Sequence, residues 1–224
     1  MISDCYNNTL KVYCYILKMG EISKSGTLFI FDWDDTLMCT TFMDAMKIDL
    51  QSKMESISEL WIDLDKLSSS ALNILTTAMS LGKVVIITNA EEKWVEYSAQ
   101  KFMPELIPIL RQIRIISART EYEKKYPGKY ILWKFHAMSS VVNESIKNIL
   151  SIGDSIVERE SVMLIADTTS HDLYRKSIKL ADKPTIVNLH KQLELLNLNI
   201  KQLTGLRKHL DLQLKVEEIK SSEK

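Results

Sequence analysis

Cysteine is scarce in this sequence, and the positions of the few cysteines exclude two kinds of protein. The chain has three of them, an odd number, and no two have the C-x-x-C spacing; they are Cys5, Cys14 and Cys39. This argues against a small domain held together by disulfides and against a zinc site built from thiolates. We therefore expect a reducing, intracellular environment, the cytoplasm.

The sequence also lacks an excess of charge of either sign. It contains 29 basic and 29 acidic residues, so its formal net charge is zero at pH 7. Such a chain has no overall field that would attract nucleic acid or an anionic membrane. Its apolar stretch at 12–17 is too short to span a bilayer and is not followed by a small-residue cleavage site. We expect a soluble protein whose function depends on a local site.

Four short apolar runs predict buried β-strands in a chain that is long enough, at 224 residues, to bury a substantial core. These runs are rich in β-branched or aromatic residues, which is typical of strands covered on both faces. They lie at 27–31, 83–88, 114–117 and 148–152, with a weaker fifth run at 176–180.

Amphipathic patterns between the apolar runs predict helices. One pattern covers 60–78 and is followed by Gly82, a second covers 94–102 and ends at Pro104, and a third covers 135–146. Strands that alternate with helices predict crossover connections and a mainly parallel sheet with helices on both faces. The predicted fold is therefore a Rossmann-like three-layer α/β sandwich, which binds ligands beyond the carboxyl ends of its strands.

We divide the chain into three parts. Residues 1–24 are an N-terminal extension, 25–185 are the core domain, and 186–224 are a C-terminal helical tail. Within the core domain, 38–58 leaves room for one small helical insertion, and no segment is long enough for a larger cap over the site. The site should therefore be open.

The tail carries an apolar stripe with alternating spacings of four and three residues. The stripe predicts a helix that packs on the domain and continues weakly past Gly205 to Leu214. Because it extends beyond what the sheet requires, a homodimer or a partner protein bound through this helix is a second hypothesis. The stripe consists of Leu189, Leu193, Leu196, Ile200 and Leu203.

Polar side chains that suit phosphate chemistry lie at or near the ends of the predicted strands. Asp32 and Asp34 follow the first strand, Thr88 ends the second, and Asp154 follows the fourth. Lys134 lies on the helix before the fourth strand. Because the carboxyl ends of parallel strands meet at one edge of a sheet, we expect these five residues to converge there.

This order of residues resembles that of the haloacid dehalogenase (HAD) superfamily. The resemblance covers about residues 27–185 and is carried by the segments FDWDDTL, VVIITNA, WKFHAM and LSIGDSIVE. It implies a HAD-like fold of a capless or minimally capped, phosphatase-like branch, in which Mg²⁺ is the cofactor. The sequence departs from the family pattern at Asp35, where many relatives have glycine, and at the bulky Trp33, whose orientation the sequence leaves open.

The resemblance implies a role for each carboxylate. Asp32 would attack phosphorus and form an aspartyl phosphate. Asp34 would protonate the leaving oxygen and then deprotonate the attacking water. Mg²⁺, which prefers oxygen ligands, would be held by the carboxylates of Asp32 and Asp154 and by the main-chain carbonyl of Asp34.

Other residues would bind the phosphoryl group. By the same resemblance, the Thr88 hydroxyl and the main-chain amide of Asn89 would hold phosphoryl oxygens, and the Lys134 ammonium would neutralise their charge. Lys134 is the least specific of these assignments, because Lys129 and Lys147 lie nearby in the sequence. Ser155 and Glu158 are expected to orient the residues that bind metal or phosphate, without binding either themselves.

Two classes of function stay open at this point. The first is a Mg²⁺-dependent phosphatase, or with less support a phosphotransferase, whose phosphorylated substrate is a phosphoprotein, a nucleotide or a sugar phosphate. The second is a non-catalytic module that keeps the fold and binds a partner through the C-terminal helix. The presence of every expected catalytic residue favours the enzyme.

Overall fold

The computed structural model describes residues 24–53, 58–168 and 173–215. The predicted N-terminal extension therefore lies, except for its last residue, outside the described residues. Within them, six strands form a single, wholly parallel sheet. The strands are β1 (Thr27–Phe31), β2 (Lys83–Thr88), β3 (Arg114–Ser117), β4 (Asn148–Gly153), β5 (Tyr174–Lys179) and β6 (Leu210–Gln213).

Helices connect the consecutive strands of the sheet. Short 3₁₀ turns precede β1 and α4, at Lys24–Gly26 and Pro104–Leu106. The α-helices are α1 (Thr40–Ala45), α2 (Trp61–Leu81), α3 (Trp94–Phe102), α4 (Ile107–Leu110), α5 (Ala118–Tyr122), α6 (Tyr130–Ser139), α7 (Ile156–Thr168) and α8 (Ile186–Gly205).

The strand order places the first and fourth strands side by side at the centre of the sheet. The order is β3-β2-β1-β4-β5-β6, so the chain first proceeds outward from β1 in one direction and then from β4 in the other. Phe31 at the end of β1 is paired with Ile86 on one side and Ile152 on the other. In sheets of this order, the crevice for ligands lies beyond the carboxyl ends of the strands where the direction changes. Here that point is the gap between β1 and β4.

Each face of the sheet has its own apolar core, which confirms the three-layer α/β prediction. Phe29 and Phe31 contribute to the core shared with α2, α3, α4 and α8. Leu28 and Ile30, which alternate with them along β1, contribute to the core shared with α5, α6 and α7. Because side chains of a strand alternate between faces, a continuous apolar run supplies both cores at once.

The C-terminal region corrects one prediction. The apolar stripe of α8 is buried in the core that includes α2, as predicted for a helix that packs on the domain. The helix does not continue to Leu214, however: it ends at Gly205, and Leu210–Gln213 forms β6, which pairs with β5. Packing within the chain thus accounts for the stripe that suggested a dimer or a partner protein. Binding of a second copy or of a partner protein through this helix stays an untested prediction.

Two local differences concern helices. The third predicted helix, expected at 135–146, lies earlier, at Tyr130–Ser139, so Val142 and Ile146 follow it and contact the core from the loop before β4. The segment after β3, for which no helix was predicted, begins with α5. The insertion at 38–58 contains the short helix α1, and part of it, 54–57, lies outside the described residues. No helix in the described ranges combines the length and the apolar character that crossing a membrane requires.

Candidate active site

In the segment that follows β1, the side chains of Asp32 and Asp34 lie on one side and that of Trp33 lies on the other. Asp32 and Asp34 line a cleft beyond the carboxyl end of the sheet, whereas Trp33 is fully buried. The Trp33 indole Nε1 donates a hydrogen bond to Ser98 Oγ of α3, at 2.9 Å. Trp33 therefore faces the core rather than the cleft, which decides the orientation that the sequence left open. This alternation gives a D-x-D segment two carboxylates on the same side.

Asp35 occupies the position where the family pattern has glycine, and its backbone explains why glycine fits there. Its φ is 53°, in the left-handed region that glycine adopts most easily and that aspartate tolerates better than most residues. The Asp35 carboxylate accepts a hydrogen bond from the main-chain N–H of Thr41, at 2.9 Å, and lines the cleft. The departure from the pattern thus keeps the turn and adds a negative charge.

Lys134 is the centre of a buried charged network. Its side chain is 1% exposed, and Nζ donates hydrogen bonds to Asp32 Oδ1, at 2.6 Å, and to Glu158 Oε1. Burial alone would lower the pKa of Lys134, but the charges of the two carboxylates outweigh it, so its pKa lies above the ordinary value. Lys129 and Lys147, the competing lysines, are exposed. The structure therefore brings Lys134, and neither competitor, to the predicted nucleophile.

The turn after β4 holds Glu158 in place for this network. Ser155 donates hydrogen bonds to Glu158 Oε2 from its main-chain N–H, at 3.0 Å, and from its hydroxyl. Ser155 Oγ also accepts the N–H of Val157, at 3.1 Å, so the S-x-x-E sequence acts as a capping box at the start of α7. Gly153 leaves space for the glutamate, because a Cβ there would lie 2.3 Å from Glu158 Cγ. The other oxygen of Glu158 is thereby presented to Lys134.

The carboxylates of the cleft carry more negative charge than Lys134 can neutralise. Burial, opposed by Lys134 and reinforced by Glu158 and Asp34, raises the pKa of Asp32 well above its ordinary value. Burial, with the charges of Glu158 and Asp35, raises the pKa of Asp154 to about 7. In Glu158, by contrast, the pKa is lowered, because the charge and hydrogen bond of Lys134 and the hydrogen bond from Ser155 outweigh the effect of burial. Additional positive charge in the cleft would favour the ionised forms of Asp32 and Asp154.

These donors can be compared with what magnesium requires. Asp32 and Asp154 line the same cleft, and Asp34, whose carbonyl is the third predicted donor, lines it as well. No group of three or more histidine, cysteine, aspartate or glutamate side chains in the described part of the chain has the arrangement of a metal site. The predicted set has only two carboxylate side chains, and water and phosphate oxygens would complete the coordination of Mg²⁺. The hard oxygen donors and the excess negative charge fit this ion, and its binding stays a prediction.

The two predicted phosphate-binding residues at the end of β2 differ in position. Asn89 is half-buried and lines the cleft, and its side-chain Nδ2 is 3.5 Å from the carbonyl oxygen of Tyr130. Thr88 is 1% exposed; its hydroxyl donates to Asp34 Oδ2, at 3.2 Å, and accepts the N–H of Ala90, at 2.9 Å. In this structure the Thr88 hydroxyl therefore contacts the predicted general acid, and its contact with phosphate stays a prediction.

Sequence reasoning missed two residues that contact Asp34. The Trp94 indole Nε1 donates to Asp34 Oδ1, at 2.7 Å, and the Thr40 hydroxyl donates to the same oxygen, at 2.6 Å. Both residues begin a helix that follows a strand end, α1 or α3, and this position at the carboxyl edge is the signal that could have found them. The cleft that they line with the predicted residues has a volume of about 440 Å³ and is open, as the sequence predicted.

Comparison of the chain with protein-family models, with curated proteins and with solved structures gives no significant match. The fold and the geometry of the cleft are therefore the basis for any statement about function, and the resemblance to the HAD superfamily stays a prediction from the motifs.

Proposed function

We propose that this protein is a Mg²⁺-dependent phosphatase of the HAD type, which hydrolyses a phosphate monoester through an aspartyl phosphate on Asp32. The observation that carries the proposal is the convergence of four groups, from three separate parts of the chain, at the gap between β1 and β4. Asp32, Asp34, Lys134 and Asp154 line one cleft, and Lys134 Nζ lies 2.6 Å from Asp32 Oδ1. A buried ammonium beside a carboxylate is what an anionic nucleophile needs in order to approach an anionic phosphate.

The first step transfers the phosphoryl group to the enzyme. An oxygen of Asp32 attacks phosphorus, the bond from phosphorus to the ester oxygen breaks, and Asp34 gives a proton to the departing oxygen. Lys134 stabilises the charge on the phosphoryl oxygens as it develops. Mg²⁺, when bound at Asp32, Asp154 and the Asp34 carbonyl, would supply charge that screens the repulsion between the nucleophile and the substrate.

The second step releases phosphate. Asp34, now ionised, takes a proton from a water molecule, which attacks phosphorus and displaces the carboxylate of Asp32. Glu158 holds Lys134 in place during both steps through the hydrogen bond to its ammonium. The open cleft favours a substrate whose phosphate is carried by a large molecule, such as a phosphoprotein.

The test is hydrolysis of para-nitrophenyl phosphate by the purified full-length protein with and without Mg²⁺. We expect activity that requires Mg²⁺ and that falls to background in Asp32→Asn, which keeps the shape of the side chain but removes the nucleophilic charge. Mass spectrometry of acid-quenched protein should detect the phosphoenzyme in the wild type only. Asp65→Asn, on the exposed face of α2, is the matched control and should retain full activity.

Two results would contradict the proposal. Activity that survives in Asp32→Asn would show that Asp32 is not the nucleophile. A wild-type protein that hydrolyses none of a broad panel of phosphate esters and forms no phosphoenzyme would favour a non-catalytic module instead.

A further inference from the structure

The carboxylate of Asp34 is held by three donors from three separate elements. Its Oδ1 accepts hydrogen bonds from Thr40 Oγ1, at 2.6 Å, and from Trp94 Nε1, at 2.7 Å. Its Oδ2 accepts a hydrogen bond from Thr88 Oγ1, at 3.2 Å. The donors lie at the start of α1, the start of α3 and the end of β2. The orientation of this carboxylate is therefore set by residues that lie 6, 54 and 60 positions away from it in the sequence.

Trp94 is itself fixed by the helix that it begins. Val95 and Ala99 of α3 are buried in the core, which holds the first turn of the helix against the sheet. Ser98 Oγ donates to the carbonyl oxygen of Trp94, at 2.7 Å, and accepts the indole N–H of Trp33, at 2.9 Å. Helix α3 thus contacts the D-x-D segment twice, once at the residue between the two aspartates and once at the second aspartate.

We propose that Trp94, assisted by Thr40, is a positioning residue that orients Asp34 for proton transfer. The inference rests on the proposed function, because it assigns Trp94 a role in the reaction of that same site. An indole has a single N–H donor and no acceptor, so its contact with Asp34 has one geometry only. A carboxylate that must deliver a proton to one particular oxygen and later collect one from water works best when it cannot rotate.

The proposal predicts a loss of activity that depends on the leaving group. A weakly basic leaving group departs without a proton, whereas a more basic one needs the general acid in the transition state. Trp94→Phe keeps an aromatic ring but removes the donor, so Asp34 loses one of two hydrogen bonds to Oδ1. The variant should therefore be impaired mainly on substrates whose leaving oxygen must be protonated. A purely structural role would lower the activity on all substrates equally.

The experiment compares kcat/KM for para-nitrophenyl phosphate, which has the less basic leaving group, and phenyl phosphate, which has the more basic one. For Trp94→Phe we expect a loss of about tenfold on phenyl phosphate, a part of the 10² or more that a general acid contributes, and of less than about threefold on the nitrophenyl ester. Thr40→Val, which removes the other donor to the same oxygen, should show the same selectivity. Trp61→Phe, at the start of α2 and not among the residues that line the cleft, should change neither value.

Each outcome supports or overturns the positioning role. Equal losses on the two esters would overturn it, and so would the absence of a loss in either Trp94→Phe or Thr40→Val. In both cases the activity of the wild type would leave the proposed function intact. If the wild type hydrolyses neither these two esters nor any of the broad panel of phosphate esters, and forms no phosphoenzyme, the proposed function is wrong and the role of Trp94 is withdrawn with it. Should Trp94→Phe fail to fold, Thr40→Val still decides the question.

Discussion

Two lysines are buried in this protein almost equally, and their surroundings are opposite. Lys134 on α6 is 1% exposed and lies between the carboxylates of Asp32 and Glu158. Lys176 on β5 is 0% exposed, and its Nζ donates to neutral oxygens, Asn148 Oδ1 at 2.7 Å and the Thr204 carbonyl at 3.0 Å. The pKa of Lys134 is raised above its ordinary value, whereas burial lowers the pKa of Lys176 to about 7.

The comparison shows that burial does not distinguish the two lysines, whereas their hydrogen-bond partners do. Lys176 joins β5 to the start of β4 and to the last turn of α8, at the end of β4 away from the cleft, so its bonds connect structural elements. Lys134 is placed where two anionic side chains already converge and where an anionic substrate would add to them. The candidate site differs from the surroundings of Lys176 because several charged side chains lie close together there, and such clusters are typical of functional sites.

The largest effect should come from removing the charge of Lys134. Lys134→Met fills a similar volume but leaves the carboxylates of Asp32 and Glu158 buried without a cation, so we expect a loss of about 3–5 kcal/mol in the free energy of unfolding. Hydrolysis of phosphate esters should be lost as well. Urea denaturation at neutral pH and the para-nitrophenyl phosphate assay measure the two effects.

The matched control for this prediction is Lys147→Met, because Lys147 is exposed. It should change the free energy of unfolding by less than about 0.5 kcal/mol. Combining Lys134→Met with Asp32→Asn should recover part of the stability, because the second change removes one of the unpaired charges. A Lys134→Met protein as stable as the wild type would mean that the network does not hold the two carboxylates as ions.

A smaller effect should follow from displacing Glu158 without changing its charge. In Gly153→Ala the new Cβ would lie 2.3 Å from Glu158 Cγ and 2.8 Å from Glu158 Cβ, so the side chain must move away from its position beside Lys134. We expect destabilisation of about 1–3 kcal/mol, as for other insertions into packed regions. Ester hydrolysis should also fall, because Lys134 loses an oriented partner.

Gly26→Ala is the control for this change. A Cβ at Gly26 would lie 3.4 Å from the Ser145 carbonyl oxygen, an ordinary contact distance, so its effect on both measurements should be slight. If Gly153→Ala lowers stability but leaves hydrolysis unchanged, the contact between Glu158 and Lys134 supports the fold and not the reaction.

The sequence predicted the centre of the fold better than its edge. Strands β1, β2 and β3 have the predicted bounds, and β4 extends one residue further. These runs could be predicted because short apolar runs rich in β-branched or aromatic residues favour buried strands over helices. Strand β6 was wrongly expected to continue a helix. Leu210 and Leu214 suit a weak helical stripe, whereas the three leucines at 210, 212 and 214 together suit an alternating edge strand. The pairing with β5 that decides between these interpretations is not local.

The candidate site likewise contains residues that the sequence predicted and residues that it did not. The carboxylates Asp32, Asp34 and Asp154 could be predicted, because each follows a strand whose position the apolar pattern fixes. Trp94 and Thr40 were missed, although both begin a helix after a strand end. Their contacts with Asp34 could not be predicted, because they join residues 60 and 6 positions apart that only the packing of α1 and α3 brings together. The capping box of α7 was present in the sequence as S-x-x-E, but its link to Lys134 depends on the position of α6.

The remaining effect is a dependence on pH that belongs to Lys176. Its pKa falls from 10.5 in the unfolded chain to about 7 in the folded protein, so between these values the unfolded state binds more protons. The free energy of unfolding should therefore rise with pH above about 7, by at most about 1.4 kcal/mol per unit, and should not change with pH through this group below that value. Lys176→Met removes the titrating group, so the stability difference between wild type and variant, measured by urea denaturation from about pH 6 to about pH 9, should shift in favour of the wild type as pH rises. A difference that stays constant would mean that the oxygens of Asn148 and Thr204 keep the ammonium charged throughout, and that two buried lysines with opposite partners titrate alike.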